Sequence, residues 1–505
     1  MHVQDVVADR AGSSRSTTAY CLCKDPSNLS NPVQPLRPID PVITFRNSQG
    51  DAVRGTLTNL QRRSLVMEIY NPYSIVQISE VLSELTVRAG DRGVYKGKAV
   101  VVSLLNTGLM AVVSVTLTDE WNELAVMGRD RASVAQETRN FVADWTSRFQ
   151  VRRDYQVVVS EMRAYFSEIT RWVDQADVAS ALPREADGRI REDVFMELAA
   201  PLLEKGQQYL RAFEQEAALV TEEFASLHRN FAQSAIHPLI LRAPFVYRTY
   251  AKPLGYAGDY EMVNQILGDP RQGPSTYFQL VNFMFLQAGV AQAHRNRIDI
   301  LADRLAQVAA QGERVGKRMR ILNVGCGPAV EIKRLIETTA ASRWLEFVLV
   351  DFSAETLEYT RSQLQAASDA TGHELHMTLQ HESVNQLLKR AGRAQRASHE
   401  DAFDYVYCAG LFDYLSDKVC TRLIEYFLSR SRPGAGLLVT NVHSSNPERL
   451  WMEHFLEWYL IYRDEAGIQA VLPEGLEHVQ VSTDATGVNV FVEARAVAMI
   501  GAAST

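Results

Sequence analysis

The chain has 505 residues, which at roughly 100–200 residues per domain predicts about three domains. Apolar residues make up 46% and charged residues 22%, and this balance excludes disorder over most of the length. The net charge of −8 argues against nucleic acid or an anionic membrane surface as the main partner. Five cysteines cannot form a disulfide framework, so a cytoplasmic protein is expected. Cys21 and Cys23 are too close and too isolated to build a metal site, and no metal is expected.

The first residues predict a flexible leader over 1–40 rather than an export signal. They are rich in Ser, Asn, Asp and Pro, without a basic stretch followed by an apolar segment. The longest apolar runs, such as Ala99–Leu105, are far shorter than the ~20 residues of a membrane-spanning helix. No membrane span is therefore expected.

A region of short β-like runs, residues 41–125, follows the leader. Turn signals such as Ser-Gln-Gly and Gly-Asp-Arg-Gly separate the runs. The runs are Val42–Arg46, Val53–Thr58, Leu65–Tyr70, Ser74–Ile78, Leu85–Val87, Lys98–Leu105 and Met110–Thr118. Six or seven short strands predict a small antiparallel barrel or sandwich.

Residues 126–235 carry two long helical stretches with aromatic stripes, which predict an antiparallel helical hairpin. Phe141, Trp145 and Phe149 begin the first stripe, and Phe195 begins the second. The simplest interpretation of both stripes is buried packing. Because each stripe is longer than one small domain needs, we expect one to stay partly uncovered and to join a homodimer. In the alternative, the hairpin folds back on the C-terminal domain and both stripes are internal.

The last part of the chain predicts a helical cap, 236–318, and an α/β domain, 319–505. Cap helices are expected near 259–268, 275–289 and 291–311. From Arg320 onward, strand and helix patterns alternate, which specifies a parallel sheet with crossover helices. Two final β runs around Ala485-Thr486-Gly487 predict an antiparallel hairpin at the end.

The sharpest local signal is a strand that ends in Gly325-Cys326-Gly327, directly before a helix. Glycines let the backbone approach a ligand closely, and the helix N-terminus offers free N–H groups. The next strand ends at Asp351, where a carboxylate can hydrogen-bond both hydroxyls of an adenosine ribose. Together these features predict a nucleoside-cofactor site.

Over residues 320–497 the chain resembles class I S-adenosylmethionine-dependent methyltransferases, which implies a Rossmann-like fold and S-adenosylmethionine as cofactor. His381–Asn385 falls where that family contacts adenine, and Ala409–Leu415 is similar to its loop facing methionine and substrate. Asn323 is a departure, because many members carry there an acid that reaches the cofactor's amino group. The resemblance implies cofactor contacts at Gly325, Cys326, Gly327, Asp351, Phe352, Ser383, Val384, Cys408, Ala409 and Leu411. Packing is the favoured role of the thiols of Cys326 and Cys408.

A finer resemblance, over about 230–505, is to the bacterial extracellular-factor methyltransferases, which make 3-hydroxy fatty acid methyl esters used as quorum signals. It is carried by the segments Lys252–Asn264, Arg295-Asn296-Arg297 and Asn441–Pro447. The first includes Tyr256 and Tyr260 in a lid-like loop, where Tyr256 would cover the cofactor. The resemblance implies transfer of a methyl group to a small-molecule carboxylic acid, either free or bound to a carrier. An ionised carboxylate needs no general base at neutral pH.

The candidate catalytic residues follow the fifth strand of the sheet, where this fold usually places substrate contacts. His443, Tyr462 and Arg463 are the candidate catalytic residues, and Tyr260, Phe412 and Trp458 the candidate substrate contacts. Each has a plainer alternative: His443 caps a turn, Arg463 pairs with Asp464 or Glu465 on a solvated helix, and the aromatic residues pack.

The β region resembles a PilZ-like barrel in length and strand count, but it does not keep that family's cyclic di-GMP motif. The nearest turn, Asn59–Ser64, lacks the Ser that the motif requires at its third position and the Gly that it requires at its sixth. We therefore expect a structural or protein-contact barrel. The whole chain is expected to be an O-methyltransferase. The alternatives are methylation of another small molecule at nitrogen or oxygen, and a cofactor-binding regulatory module without turnover.

Overall fold

A computed structural model describes most of the chain after the predicted leader. The described residues are 42–60, 63–69, 76–89, 92–106, 111–119, 135–136, 138–139, 142–143, 150–179, 182–391 and 401–497. The leader 1–40 lies outside them, as do Phe141, Trp145 and Phe149 of the first predicted helical stretch.

Six antiparallel strands close into a barrel in the order β1-β2-β3-β6-β5-β4, which confirms the predicted architecture. They are β1 (Val42–Arg46), β2 (Ala52–Leu60), β3 (Ser64–Ile69), β4 (Val81–Ala89), β5 (Arg92–Asn106) and β6 (Ala111–Leu117). In β3, Leu65, Met67 and Ile69 alternate into the barrel core, as the period of a strand requires. The run predicted at Ser74–Ile78 is wrong as a strand: its described part, Val76–Ile78, belongs to the turn before β4.

Three helices follow the barrel: α1 (Arg153–Ala179), α2 (Glu192–Ala217) and α3 (Glu222–Ile240). The second predicted stretch is therefore two helices, because the chain turns at Ala218 and becomes extended at Thr221. The inward stripe of α1, which includes Tyr155 and Phe166, is buried in the same apolar cluster as residues 277–286 and 451–456. Within the described residues the stripes are mostly buried, as in the alternative to an uncovered seam, although Trp172 of the first stripe is 52% exposed. The homodimer stays a prediction without that support.

The cap contains α4 (Pro244–Ala251), α5 (Tyr260–Leu267), α6 (Thr276–Leu286) and α7 (Gly289–Val315). All eleven residues of α6 are buried, so it is the central helix of the cap. The long helix α7 leads directly into the sheet and carries His294 and Arg297 on its buried face.

The C-terminal part is a seven-stranded sheet in the order β12-β13-β11-β10-β7-β8-β9. Its strands are β7 (Met319–Val324), β8 (Leu345–Asp351), β9 (Met377–His381), β10 (Phe403–Cys408), β11 (Ser431–Val442), β12 (Leu476–Thr483) and β13 (Asn489–Ala496). The first five are parallel, and β13 pairs antiparallel with both β11 and β12. This confirms the predicted parallel sheet and closing hairpin.

Short helices connect these strands. They are α8 (Val330–Thr338), α9 (Ala354–Thr371), α10 (Val384–Ala391), α11 (Asp417–Arg430), α12 (Arg449–Phe455) and α13 (Glu465–Ala470). The described residues of the barrel, the helices and the sheet form one compact unit, and the predicted domain limits inside it stay predictions. In the described part of the chain, helices with both the length and the apolarity to cross a membrane are absent.

Candidate active site

The loop between β7 and α8 has a backbone that requires glycine. Gly325 and Gly327 adopt φ angles of 70° and 51°, in the left-handed region that other residues rarely adopt. The amides of Gly325 and Cys326 both donate to the carbonyl of Val350, at 2.8 and 3.1 Å. A Cβ on Gly325 would lie 3.3 Å from the side chain of Leu411. The loop is therefore tied to the end of β8 and passes close under the loop after β10.

Asp351, the last residue of β8, is the acid predicted to meet a ribose. Its carboxylate is 6% exposed and accepts hydrogen bonds from the amides of Gly327, at 3.1 Å, and Ser353, at 3.0 Å. Burial raises its pKa, and these amides act in the opposite direction by stabilising the charge. The hydrogen bond from Gly327 therefore joins the glycine loop to the acid at the end of β8.

A cavity opens at the carboxyl ends of the neighbouring strands β10, β7 and β8, where open α/β sheets bind ligands. It brings together most of the residues predicted to contact the cofactor: Tyr256, Gly325, Cys326, Gly327, Asp351, Phe352, Ala409 and Leu411. Two of the predicted substrate contacts, Tyr260 and Trp458, line it as well.

Four other predicted residues lie away from the cavity wall. Val384, Cys408 and Phe412 are buried in the apolar cluster on one face of the sheet. Ser383 stands at the start of α10, where its amide donates to the side chain of Gln386. Burial raises the pKa of the Cys408 thiol well above its usual range, which favours packing over thiolate chemistry.

The three predicted catalytic side chains do not line the cavity either. Arg463 is buried and donates to the carboxylate of Asp417 and to the carbonyls of Phe412 and Leu415. It therefore pairs with Asp417 instead of Asp464 or Glu465, and it holds the loop after β10 in place.

His443 contacts two polar side chains, whereas the buried hydroxyl of Tyr462 has no hydrogen-bond partner among the described residues. The His443 ring lies 2.6 Å from the Ser445 hydroxyl and 3.1 Å from the Glu465 carboxylate. The ring of Tyr462 lies under the guanidinium of Arg449, at 4.8 Å from its centre. Their proposed catalytic roles stay predictions that the geometry of the cavity does not support.

Arg297 on α7 is a cavity residue that the site prediction missed. Its guanidinium is 6% exposed and lies against Gly410, with Nη2 3.2 Å from the position of a Cβ there. No group of the described residues accepts a hydrogen bond from its buried Nη1. Burial lowers its pKa, and the nearby carboxylate of Asp413 opposes this shift. A buried donor without a partner is costly, so Nη1 favours a ligand group that accepts a hydrogen bond, and an anionic group would bind most strongly.

Glu331, in the first turn of α8, is a second missed residue of the cavity wall. Its carboxylate is buried and accepts hydrogen bonds from Tyr407, at 2.7 Å, and Asn323, at 3.3 Å. Burial raises its pKa, whereas the Tyr407 hydroxyl and the charge of Arg297 lower it. The acid that the sequence lacks at position 323 is thus present beside it, on the next helix.

His294, one helical turn before Arg297, also faces the cavity. Its Nδ1 lies 2.8 Å from the carbonyl of Val290, which can only accept, so Nδ1 carries a proton. Burial, assisted by Arg297, lowers the pKa of the ring to about 3. The ring is therefore neutral at physiological pH, with a lone pair on Nε2.

Comparisons with known proteins give only distant likenesses. No protein-family model and no curated protein matches the chain. A possible exported protein from Bordetella parapertussis is 18% identical, with TM-score 0.39, over 50% of this chain and 86% of that chain. Magnesium protoporphyrin IX methyltransferase from Synechocystis, with bound S-adenosylhomocysteine, is 13% identical, with TM-score 0.34, over 50% and 98% of the two chains. The N-methyltransferase NodS from Bradyrhizobium japonicum is 14% identical, with TM-score 0.30, over 49% and 98%. With TM-scores under 0.5, these likenesses do not fix a function for this chain.

Proposed function

We propose that the chain is an S-adenosylmethionine-dependent methyltransferase. The observation that carries the proposal is one cavity whose groups complement two distant parts of that cofactor. Asp351 lies where its carboxylate can accept hydrogen bonds from both ribose hydroxyls, beside the glycine loop. Arg297 and Glu331 supply a buried cation and a buried anion to the same cavity.

The amino-acid end of the cofactor carries both an ammonium and a carboxylate. The unpaired Nη1 of Arg297 would donate to the carboxylate, and the carboxylate of Glu331 would accept from the ammonium. Asn323 and Tyr407 orient Glu331 for this contact. A dinucleotide has no such zwitterionic group, so this pair favours S-adenosylmethionine over a nicotinamide cofactor.

The methyl acceptor is a small-molecule carboxylic acid, with a 3-hydroxy fatty acid as the finer proposal. When bound, the cofactor supplies a methyl group on a positively charged sulfur, and an ionised carboxylate attacks without a general base. The chain's task is to align the reacting oxygen with the methyl group in a cavity that excludes water. Trp458, Tyr414 and Leu460 give one side of the cavity an apolar, aromatic wall that suits such an acid.

The test is release of S-adenosylhomocysteine in the presence of straight-chain carboxylic acids and 3-hydroxy acids, from butanoic to hexadecanoic acid. Mass spectrometry should detect a product heavier by one methylene group. At limiting S-adenosylmethionine, Asp351→Ala should lower the rate of release, while Asp369→Ala, at an exposed acid on α9, should not. Binding of S-adenosylhomocysteine without turnover across the panel would instead favour a regulatory module.

A further inference from the structure

The wall of the cavity is not built by the C-terminal sheet and cap alone. Gln77, from the turn before β4 of the barrel, lines the same cavity as Tyr256, Tyr260 and Trp458. Residues 76–81, which include the first residue of β4, form the barrel turn. The barrel therefore reaches the site that the proposed function uses.

Through Ser79, the barrel turn is attached to the aromatic wall of the cavity, which the proposed function assigns to the methyl acceptor. The Ser79 hydroxyl donates to the carbonyl of Glu457, at 2.8 Å, and accepts from the amide of Tyr459, at 2.9 Å. Between these two residues lies Trp458, a cavity residue whose Nε1 donates to the hydroxyl of Tyr414, at 3.0 Å. The attachment thus holds the segment that forms the aromatic wall.

Backbone strain on both sides of this contact marks it as more than surface packing. Ser79 has φ 67° and Glu457 has φ 49°, in the left-handed region, and both residues are buried. Such conformations cost free energy in residues other than glycine, and they persist where the surrounding structure holds them. Here the two strained residues hold one another by the hydrogen bond between them.

A second attachment joins the barrel turn to the lid-like loop that carries Tyr256. The amide of Val81 donates to the carbonyl of Gly255, at 2.7 Å. Inside the barrel, the buried carboxylate of Glu80 accepts from the amides of Gln77 and Ser48, both at 2.6 Å. The backbone amide of Gln77 is therefore fixed by a barrel residue, and Gln77 also lines the cavity.

We propose that the barrel is a working part of the catalytic site, and that Gln77 contacts the ligands bound in the cavity and helps to select the acceptor. The inference rests on the proposed function. The side-chain amide of Gln77 can both donate and accept a hydrogen bond, so it suits a methyl acceptor that carries a polar group near the reacting carboxylate.

The direct test is labelling of a cysteine at position 77. Gln77→Cys and, as a matched control in the neighbouring barrel loop, Gln49→Cys are treated with iodoacetamide, and each labelled peptide is quantified by mass spectrometry. S-adenosylhomocysteine at about 100 times its Kd leaves about one per cent of the protein free, so a shielded thiol should react at least about tenfold more slowly. We expect this slowing at position 77 and none at position 49.

Calorimetry on the same variants separates the possible failures. Binding of S-adenosylhomocysteine to Gln77→Cys with no change in labelling would overturn this inference and leave the proposed function intact. No binding to the unaltered protein would overturn both.

Hydrogen exchange on the unaltered chain provides a second measurement that does not depend on a variant folding. Saturating S-adenosylhomocysteine should slow exchange in the barrel turn as well as in the loop 325–329. Protection of the glycine loop alone would contradict the inference.

Discussion

The amide of Gly327 donates a hydrogen bond to the carboxylate of Asp351 across 3.1 Å, and so joins the loop after β7 to the end of β8. The carboxylate accepts a second bond from the amide of Ser353, which precedes α9. One side chain therefore fixes the glycine loop and, in the proposed function, the position of the ribose. This coupling makes Asp351 the most informative residue to change.

Asp351→Ala should weaken S-adenosylhomocysteine binding by about tenfold or more, because loss of a hydrogen bond to a charged group costs roughly 1.5–3 kcal/mol. Titration calorimetry measures the Kd, and Asp369→Ala on the exposed face of α9 serves as the control. An unchanged Kd for the Asp351 variant would move the nucleoside away from the end of β8.

Arg297→Gln and Glu331→Gln should reduce binding of S-adenosylhomocysteine but not of 5′-methylthioadenosine, which lacks the amino-acid group. A charge-assisted hydrogen bond contributes roughly 1.5–3 kcal/mol, so each variant should lose about tenfold or more in affinity for the former only. The exposed residues Arg314 and Glu337, on the same helices, provide matched Gln controls.

The comparison of the two ligands shows whether a loss of affinity comes from the amino-acid group of the cofactor. Equal losses for both would mean that Arg297 and Glu331 support the fold of the cavity, and no loss for either would remove them from the cofactor site.

Much of this fold could be predicted from the sequence because its signals are local. The alternation in β3, the glycines after β7 and the acid at the end of β8 each depend on a few adjacent residues. The pairing of neighbouring strands then brings Gly327 and Asp351 together. The Ser74–Ile78 run failed over its described residues, 76–78, because Val76 packs in the barrel core from a turn and not from a strand.

The missed residues depend on contacts between distant segments. Arg297 lies within a motif that the sequence singles out, yet it becomes a candidate ligand-binding group only because its buried Nη1 has no hydrogen-bond partner among the described residues. Arg463 shows the opposite case: its position after the fifth strand suggested substrate binding, but its guanidinium already donates hydrogen bonds to four groups of the protein, on Asp417, Phe412, Asn441 and Leu415. Residue type and position do not reveal which charges a fold has already neutralised.

Ser79→Ala should destabilise the protein, because it removes a buried hydroxyl and leaves the amide of Tyr459 without that acceptor. An unsatisfied buried donor costs roughly 1–3 kcal/mol. Urea unfolding followed by circular dichroism measures the change. Ser103→Ala, at an exposed position of β5, should be within error of the parent, and equal stability of both variants would contradict the role given to Ser79.

Glu214→Gln should change how stability depends on pH. The carboxylate accepts from the amides of Leu450 and Trp451 at the start of α12, and burial raises its pKa to about 7. A raised pKa means that the folded state holds the proton more tightly, so stability falls as pH rises from the ordinary value of 4.5 through 7.

The neutral variant removes that fall. Between pH 5 and 8 its unfolding free energy should gain on the parent by about 2 kcal/mol. Glu204→Gln, exposed on the same helix, is the control. Parallel pH profiles for Glu214→Gln and the parent would show that Glu214 is charged in both states across this range.

The central claim is methyl transfer to a carboxylate, and its most direct measurement uses S-adenosylmethionine radiolabelled in the methyl group. Methyl esters release volatile methanol in mild base, whereas methyl groups on nitrogen or on an ether oxygen do not. The protein, incubated with the acid panel, should transfer label into organic-extractable product, and base should convert that label into volatile methanol. Label that stays in the extract after base treatment would contradict an ester product, and absence of transfer to every acid would contradict the claim itself.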